Sequence, residues 1–285
     1  MLRYLVLCCL LLQTASAWAL KPRAEWWAKP DTLGLKYQSL TLTTPDHVQL
    51  SSWLIAPLAG APDQHTTMVL AGGDSGNMSS LIFPARALAA AGYQVLLFDY
   101  RGFGHSQAFT IDQNRLYYEE FVTDLNTALA EAKRRAPHQQ VGIMGFSMGT
   151  LISAKTAAAK RCDFLITDSY IANPQGVVAY YQRVRPERPT TLPAEAATYA
   201  QVAPKINCPW LFIVGTEDPV TTLADSVATA QAARRRQRRQ VFSVKCGHMG
   251  AMEELAKTEP AQEYGNAYVR VVSRFLAGKP VVEKS

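Results

Sequence analysis

A serine in a tight, glycine-flanked turn is the first residue that could do chemistry. Ser147 lies in Gly-Phe-Ser-Met-Gly, after an apolar stretch that ends at Met144 and before an Ala-rich stretch that starts near Met148. In this strand-turn-helix context the pattern forms a nucleophile elbow, which exposes the serine hydroxyl at the carboxyl end of the strand. We therefore predict that Ser147 is a nucleophile; the alternative is a serine that only caps a helix.

A serine at its ordinary pKa needs a base, so a histidine should lie at the same sheet edge. His248 follows the last predicted strand, in Cys-Gly-His-Met-Gly, and is the predicted base. His105 follows an earlier strand and is the reserve candidate. The three remaining histidines border early strands or lie at the amino end of a strand: His47, His65 and His138.

A serine and a histidine that act in this way usually form a triad with a carboxylate, which orients the imidazole and stabilises its charged form. Asp218, in Gly-Thr-Glu-Asp-Pro-Val, follows the next-to-last predicted strand and is the predicted acid, while Glu217 beside it should point elsewhere. Asp168, just after the preceding strand, is the competing candidate. The resulting chain order of serine, aspartate and histidine differs from that of chymotrypsin and of subtilisin.

The elements that would position these residues alternate along the chain. Strand patterns at residues 36–43 and 47–56 lie on either side of a turn at Pro45-Asp46. Short, mostly apolar stretches predict further strands at 67–71, 93–98, 141–145, 164–167, 210–214 and 241–244. Helical spacing predicts helices at 79–91, 117–136, 148–160, 222–235 and 261–276. Unalternating apolar strands separated by helices indicate a mostly parallel sheet covered on both faces.

From about residue 36 to 276 the chain resembles the α/β-hydrolases, among them esterases, lysophospholipase-like and S33 aminopeptidase-like proteins. The resemblance is carried by the Ser147, Asp218 and His248 motifs and by Phe-Asp-Tyr-Arg-Gly-Phe-Gly-His-Ser at 98–106. It implies a mostly parallel eight-stranded sheet with helices on both faces. We expect a single domain at 20–285 with a short cap insertion at 173–205.

The resemblance also implies two backbone N–H donors for an oxyanion. Met148 at the helix start is the first expected donor. Relatives often carry His-Gly-x after the third strand, and here the matching residues are Ala71-Gly72-Gly73-Asp74. Gly73 is the expected second donor and Asp74 the alternative. A carboxylate at position 74 that faced the site would repel an oxyanion, or it could bind a cationic group.

The fold implied by the resemblance brings two cysteines together. Cys162 and Cys208 each precede one of two neighbouring strands, so both would lie at the amino edge of the sheet. We expect a disulfide between them, with small buried thiols as the alternative.

The first residues have the pattern of a secretory signal peptide. Arg3 precedes an apolar run at 5–12, and Ala-x-Ala sequences end at Ala17 and Ala19. We therefore expect a signal peptide at 1–19 and a secreted or periplasmic protein; an uncleaved membrane anchor is the alternative. Cleavage would remove one positive charge from the formal net charge of +6.

Few features indicate partners other than a small acyl substrate. The basic run Arg234–Arg239 could contact anionic lipid weakly, although a solvated helix end explains it as well. The mild basicity gives no reason to expect nucleic acid. No dinucleotide or phosphate-binding glycine motif and no metal-ligand spacing occurs, so neither cofactor nor metal is expected. Four cap residues are expected to pack on the surface, with substrate contact as the alternative: Tyr180, Tyr181, Arg183 and Arg185.

These residues together predict an exported serine hydrolase that cleaves an ester of small or medium acyl chain. An amidase, a peptidase or an acyltransferase would use the same triad. A non-catalytic binding protein of the same fold is a further alternative. The sequence leaves the oligomeric state open.

Overall fold

The computed structural model describes residues 19–258 and 263–281. The predicted signal peptide lies outside these ranges except for Ala19, which is buried. No helix in the described ranges has both the length and the apolar character needed to cross a bilayer.

The strands and helices of the described residues are as follows. The strands are β1 (Lys21–Pro22), β2 (Tyr37–Thr43), β3 (Gln49–Ile55), β4 (Thr66–Ala71), β5 (Ser75–Gly76), β6 (Gln94–Phe98), β7 (Gln140–Phe146), β8 (Leu165–Asp168), β9 (Trp210–Gly215) and β10 (Arg239–Val244). The α-helices are α1 (Ile82–Ala90), α2 (Glu120–Arg135), α3 (Met148–Ala159), α4 (Pro174–Val184), α5 (Leu223–Gln231), α6 (Ala251–Thr258) and α7 (Asn266–Leu276).

Eight strands form one sheet in the order β10-β9-β8-β7-β4-β6-β3-β2. β2 pairs with β3 and β3 with β6 in antiparallel register, while every other pairing in this sheet is parallel. The predicted eight-stranded, mostly parallel sheet is therefore confirmed. Because the parallel strands share a direction, the loops that follow β4, β7, β8, β9 and β10 meet at one edge.

Helices cover both faces of the sheet, which explains why the central strands are apolar throughout. All residues of β4 and β9 are buried. On one face α2 packs through Phe121, Leu125 and Leu129. On the other face α7 packs through Val272 and Phe275, at the three-to-four-residue spacing of one helix face. The buried faces of the helices thereby fix the strand ends that carry the site.

The cap insertion contains a regular helix that the sequence did not predict. α4 starts at Pro174, and the Asn173 side chain accepts a hydrogen bond from Gly176 N at 3.0 Å, so it has both an N-cap and a first-turn proline. A 3₁₀-helix at Ala194–Gln201 follows. Thr191 ties the cap to the loop after β6, through backbone hydrogen bonds with Asn114 and Leu116 at 2.9 Å.

Candidate active site

Ser147 occupies the sharp turn between β7 and α3. Its φ of +49° is a left-handed value that a non-glycine residue adopts only where the surroundings enforce it. The Ser147 N–H donates to Asp168 O at 3.0 Å, and the Thr150 hydroxyl donates to Ser147 O at 2.6 Å. Thr150 also accepts Ile171 N at 3.0 Å, which joins this turn to the start of the cap. The turn is held from both sides, and the Ser147 side chain remains partly exposed.

The two glycines of the motif are required by close packing. A Cβ at Gly145 would lie 2.5 Å from Ser153 Oγ, and a Cβ at Gly149 would lie 2.2 Å from Ala71 O. Such separations are below any real carbon contact, so a side chain at 145 would push α3 from β7 and one at 149 would push α3 from β4. The glycines thereby bring the end of β4 against the nucleophile turn.

His248 lies between Ser147 and Asp218, as the sequence predicted. Ser147 Oγ is 2.8 Å from His248 Nε2, and His248 Nδ1 is 2.8 Å from Asp218 Oδ2. The histidine loop lies against β9, where a Cβ at Gly215 would approach Cys246 O to 2.4 Å. Three loops at one sheet edge therefore form a continuous chain of hydrogen bonds.

Asp218 is held as an ionised carboxylate. Its side chain is buried, which by itself raises the pKa, but hydrogen bonds from His248 and Thr221 outweigh this and hold the pKa below its usual value. Oδ1 accepts the backbone N–H groups of Val220 at 2.8 Å and Thr221 at 3.0 Å. Glu217 is exposed beside it, as expected. Thr221 carried no motif that would have identified it in the sequence.

The competing acid, Asp168, has a different partner. The Tyr268 hydroxyl donates to Asp168 Oδ2 at 2.7 Å, and burial raises the Asp168 pKa to about 6. Its neighbour Ser169 accepts Met249 N at 3.1 Å and so supports the loop that carries His248. Asp168 therefore lies beneath the histidine loop without a hydrogen bond to the imidazole among the described residues.

His105, the reserve base, lies elsewhere. Its ring is exposed and stacks on Trp26 with the centroids 3.8 Å apart. Its backbone N–H donates to Asp99 Oδ2 at 3.3 Å. The structure therefore uses His105 to cover the turn after β6 and brings only His248 to Ser147.

The expected oxyanion donors flank Ser147. Met148 is the first residue of α3, where an amide N–H has no acceptor within the helix. A Cβ at Gly73 would lie 3.6 Å from Ser147 Cβ, so Gly73 borders the nucleophile. The Asp74 side chain is half-buried in the same cleft. Burial raises its pKa, while the charge of His248 acts in the opposite direction.

The loop at 72–77, which we call the oxyanion loop, is held by the segment at 20–27. β1 pairs with β5 in parallel register, and Lys21 N donates to Asp74 O at 2.8 Å. The Asn77 side-chain amide donates to Arg23 O at 3.0 Å and to Glu25 O at 2.8 Å. No sequence motif marks this segment, so its contact with the site was not predicted.

A buried carboxylate continues this support. Asp99 Oδ1 accepts Met78 N at 2.6 Å, and Oδ2 accepts the Trp26 indole N–H at 2.8 Å. Burial raises the pKa of Asp99, and the hydrogen bonds from Met78 and Trp26 oppose that rise. Asp99 thus links the segment at 20–27 to the residue that follows the oxyanion loop.

Cys162 and Cys208, the pair predicted to form a disulfide, lie together at the amino edge of the sheet. Their sulfur atoms are 3.3 Å apart, whereas a disulfide is about 2.05 Å long. The adjacent strands bring the residues together as expected, and the disulfide itself stays a prediction. They line a cavity of about 530 Å³ that contains none of the residues around Ser147.

The basic run is only partly available to a partner. Arg234, Arg235 and Arg236 are exposed, in a turn after α5 rather than at its last residues. Arg239 belongs to β10, where its guanidinium donates to Thr229 O and to Ala203 O at 2.6 Å each. Contact with anionic lipid stays a prediction for the exposed arginines.

Comparison with known proteins is consistent with this architecture. A family model described as serine aminopeptidase, S33, matches residues 63–169. An uncharacterised membrane protein of Saccharomyces cerevisiae, YNL320W, is 25% identical over 155 residues, which are 53% of this chain. The match spans about half of that relative, 51% of its length.

Solved structures match over most of the chain. The Pyrococcus furiosus esterase Pf2001 superposes with a TM-score of 0.71 at 20% identity, covering 91% of this chain and 99% of the esterase. XC6422 from Xanthomonas campestris, described as an α/β serine hydrolase without a lid, superposes with a TM-score of 0.55 at 18% identity, covering 82% of this chain and 94% of that one. The chain therefore has the fold of the α/β serine hydrolases.

Proposed function

We propose that this protein is a serine hydrolase that cleaves a carboxylic ester of small or medium acyl chain through an acyl-enzyme. The observation that carries the proposal is the pair of 2.8 Å contacts that join Ser147 to His248 and His248 to Asp218. These are the distances at which a base can take a proton from a nucleophile and an acid can orient that base.

In the first half of the reaction Ser147 Oγ attacks the acyl carbon while His248 Nε2 takes its proton. Asp218, ionised and fixed by Thr221, stabilises the imidazolium that forms. The carbonyl oxygen becomes an oxyanion that accepts N–H bonds from Met148 and Gly73, each worth about a hundredfold or more in rate. The intermediate collapses, the ester C–O bond breaks, and the alcohol leaves with the proton from His248.

In the second half a water molecule takes the place of the alcohol. His248 removes a proton from the water, which attacks the acyl carbon and forms a second tetrahedral intermediate. That intermediate expels Ser147, whose oxygen recovers the proton from His248. The acid product leaves, and neither step requires a redox change or a cofactor.

The proposed ester specificity is supported by the likeness in fold to an esterase. The experiment that tests the nucleophile is labelling with a fluorophosphonate probe, which reacts with activated serines. We expect the wild-type protein to be labelled and Ser147→Ala to be unlabelled at an unchanged melting temperature. A folded wild-type protein that remains unlabelled would favour the non-catalytic binding protein.

An amide-cleaving activity is the second candidate, because the matching family model is described as a serine aminopeptidase. The two activities share the triad and differ in the leaving group. Turnover of p-nitrophenyl esters and of aminoacyl anilides on the same preparation separates them. We expect kcat/KM to be higher for the esters, and a preference for the anilides would replace the esterase proposal.

We also propose that the protein is exported to the periplasm or beyond, on the basis of the signal-peptide pattern at 1–19. Sequencing the first residues of the protein purified from its host tests this. We expect the mature chain to start at Trp18 or Leu20. A chain recovered with its apolar run intact would support the membrane-anchor alternative.

A further inference from the structure

The cap carries a positive charge that is buried rather than exposed. Arg185, at the C-terminal end of α4, is only 8% exposed, whereas the sequence analysis expected it to pack on the surface. Its guanidinium stacks on the Tyr181 ring, 3.7 Å from the ring centroid. A guanidinium carries a positive charge and five N–H donors, so this is a buried charge with several donors to satisfy.

The protein supplies few hydrogen-bond partners and no ion-pair partner to the Arg185 guanidinium among the described residues. One terminal nitrogen donates to Thr190 Oγ1 at a long 3.4 Å, and the buried Nε has no hydrogen-bond partner. None of the ion pairs among residues 19–258 and 263–281 includes Arg185. Burying a charge without a partner is costly, so such a group is usually completed by a ligand or an opposite charge.

The charge lies beside the proposed catalytic residues. The pKa of Tyr181 is raised to about 12, chiefly by burial and to a smaller extent by the charges of Asp74 and Asp218. The charges of Arg185 and of His248 both act on the Asp74 carboxyl. Arg185, Tyr181 and His248 are therefore each within electrostatic reach of Asp74, the residue after Gly73.

We infer that Arg185 binds an anionic group of the substrate, so that the preferred ester carries a carboxylate on its acyl or alcohol part. This inference deepens the proposed ester hydrolysis and rests on it. A carboxylate would supply the acceptors that the guanidinium lacks and would form charge-assisted hydrogen bonds. Asp74 is the nearby negative charge that opposes binding of an anion and limits its strength.

The test compares esters that differ in one charge. The acyl-side pair is mono(4-nitrophenyl) adipate and 4-nitrophenyl hexanoate, which have acyl chains of equal length. The alcohol-side pair is 4-acetoxybenzoate and its methyl ester. The quantity measured is the ratio of kcat/KM for the charged ester to kcat/KM for the neutral ester, so each preparation contains its own control for folding.

We expect this ratio to fall about tenfold to a hundredfold in Arg185→Gln for at least one pair. The loss of a hydrogen bond to a charged group weakens binding by about that factor. Arg185→Lys should keep part of the ratio because it keeps the charge. Arg183→Gln, which changes an exposed arginine two residues away, is the matched control and should leave the ratio unchanged. Asp74→Asn should raise it.

Two results would contradict the inference, and only the second would also contradict the proposed esterase activity. If neutral esters are cleaved by Ser147 while Arg185→Gln and Arg185→Lys leave both ratios unchanged, Arg185 has no role in recognition and the esterase proposal stands. If neither member of either pair is cleaved and no fluorophosphonate label is found, the esterase proposal fails and the inference fails with it.

Discussion

The two sides of the cleft are built in different ways. On the nucleophile side, Ser147, Asp218 and His248 follow strands β7, β9 and β10 of one sheet and contact one another directly. On the opposite side, the oxyanion loop depends on the segment at 20–27 and on Asp99. The first side is carried by short motifs, whereas the second depends on contacts between residues far apart in the chain. Damage to the first should therefore affect rate more than stability, and damage to the second should affect both.

The largest expected effect is on the nucleophile side. Asp218→Asn should lower kcat for a p-nitrophenyl ester by about 10⁴-fold, because the imidazole loses both its orientation and its counter-charge. Asp168→Asn is the matched control, since the Asp168 carboxyl is bonded to Tyr268 rather than to the base. A larger loss of kcat in Asp168→Asn than in Asp218→Asn would show that Asp168, and not Asp218, is the acid that acts on His248.

The second largest effect on rate is expected where the two sides meet, at the contact between Gly149 of α3 and Ala71 of β4. Gly149→Ala places a carbon 2.2 Å from Ala71 O and must displace β4 from α3. A displacement of about 1 Å at a catalytic site costs on the order of a hundredfold in rate. Gly72→Ala places its new carbon 3.8 Å from Leu81 Cδ1, an ordinary contact, so kcat should change little. Equal rates for the two variants would show that the glycine contact does not set the geometry.

Substitutions on the oxyanion-loop side should lower the stability of the fold. Trp26→Phe removes the indole N–H that donates to buried Asp99 and should lower the free energy of unfolding by about 1–2 kcal/mol in urea titrations. It should also lower kcat, since Asp99 holds Met78 beside the loop. Trp27→Phe is the control, because the Trp27 side chain is largely exposed. Trp26→Phe with unchanged stability would mean that the segment at 20–27 does not support the loop.

The smallest effect is a pH dependence that separates two acids on the nucleophile side. The Asp218 pKa is lowered in the folded protein, so its charge stabilises the fold above the unfolded-state value of about 3.9, and this is lost as the pH falls through the folded value. Burial raises the Asp168 pKa to about 6, so its ionisation destabilises the fold increasingly as the pH rises from about 4 through 6.

Urea titrations between pH 3 and 8 measure both contributions. The stability lost in Asp218→Asn should be constant from pH 8 to 5 and shrink below about pH 4. The stability of Asp168→Asn relative to wild type should increase between about pH 4 and 6.5. The same pH trend in the two variants would contradict these opposite shifts.

The elements that could be predicted from the sequence are those with a local sequence pattern. Each of the eight sheet strands was predicted within a few residues. The strands from β4 onward are short, mostly apolar runs, as buried parallel strands are, and the antiparallel pair β2 and β3 lies on either side of the Pro-Asp turn. The positions of Ser147, Asp218 and His248 could be predicted because each directly follows such a run. Their proximity then follows from the parallel sheet.

The elements that were missed have weak or distant signals. α4 was not predicted, because the segment that contains it is rich in Pro, Tyr and Arg, and only Asn173 and Pro174 mark its start. β1 and β5 are two residues long and pair across more than fifty positions. The pairing of neighbouring strands predicted that Cys162 and Cys208 lie close together, and whether a bond forms between them stays a prediction.

The pairing of β1 with β5 has a practical consequence for producing this protein. Residues as early as Ala19 and Leu20 are buried, and both donate backbone hydrogen bonds to Gln113 O. A fusion partner joined directly before Leu20, or a truncation that starts at Trp27, would disturb residues that hold one wall of the cleft. An affinity tag is better placed after Ser285, and assays on N-terminally trimmed preparations would understate the activity.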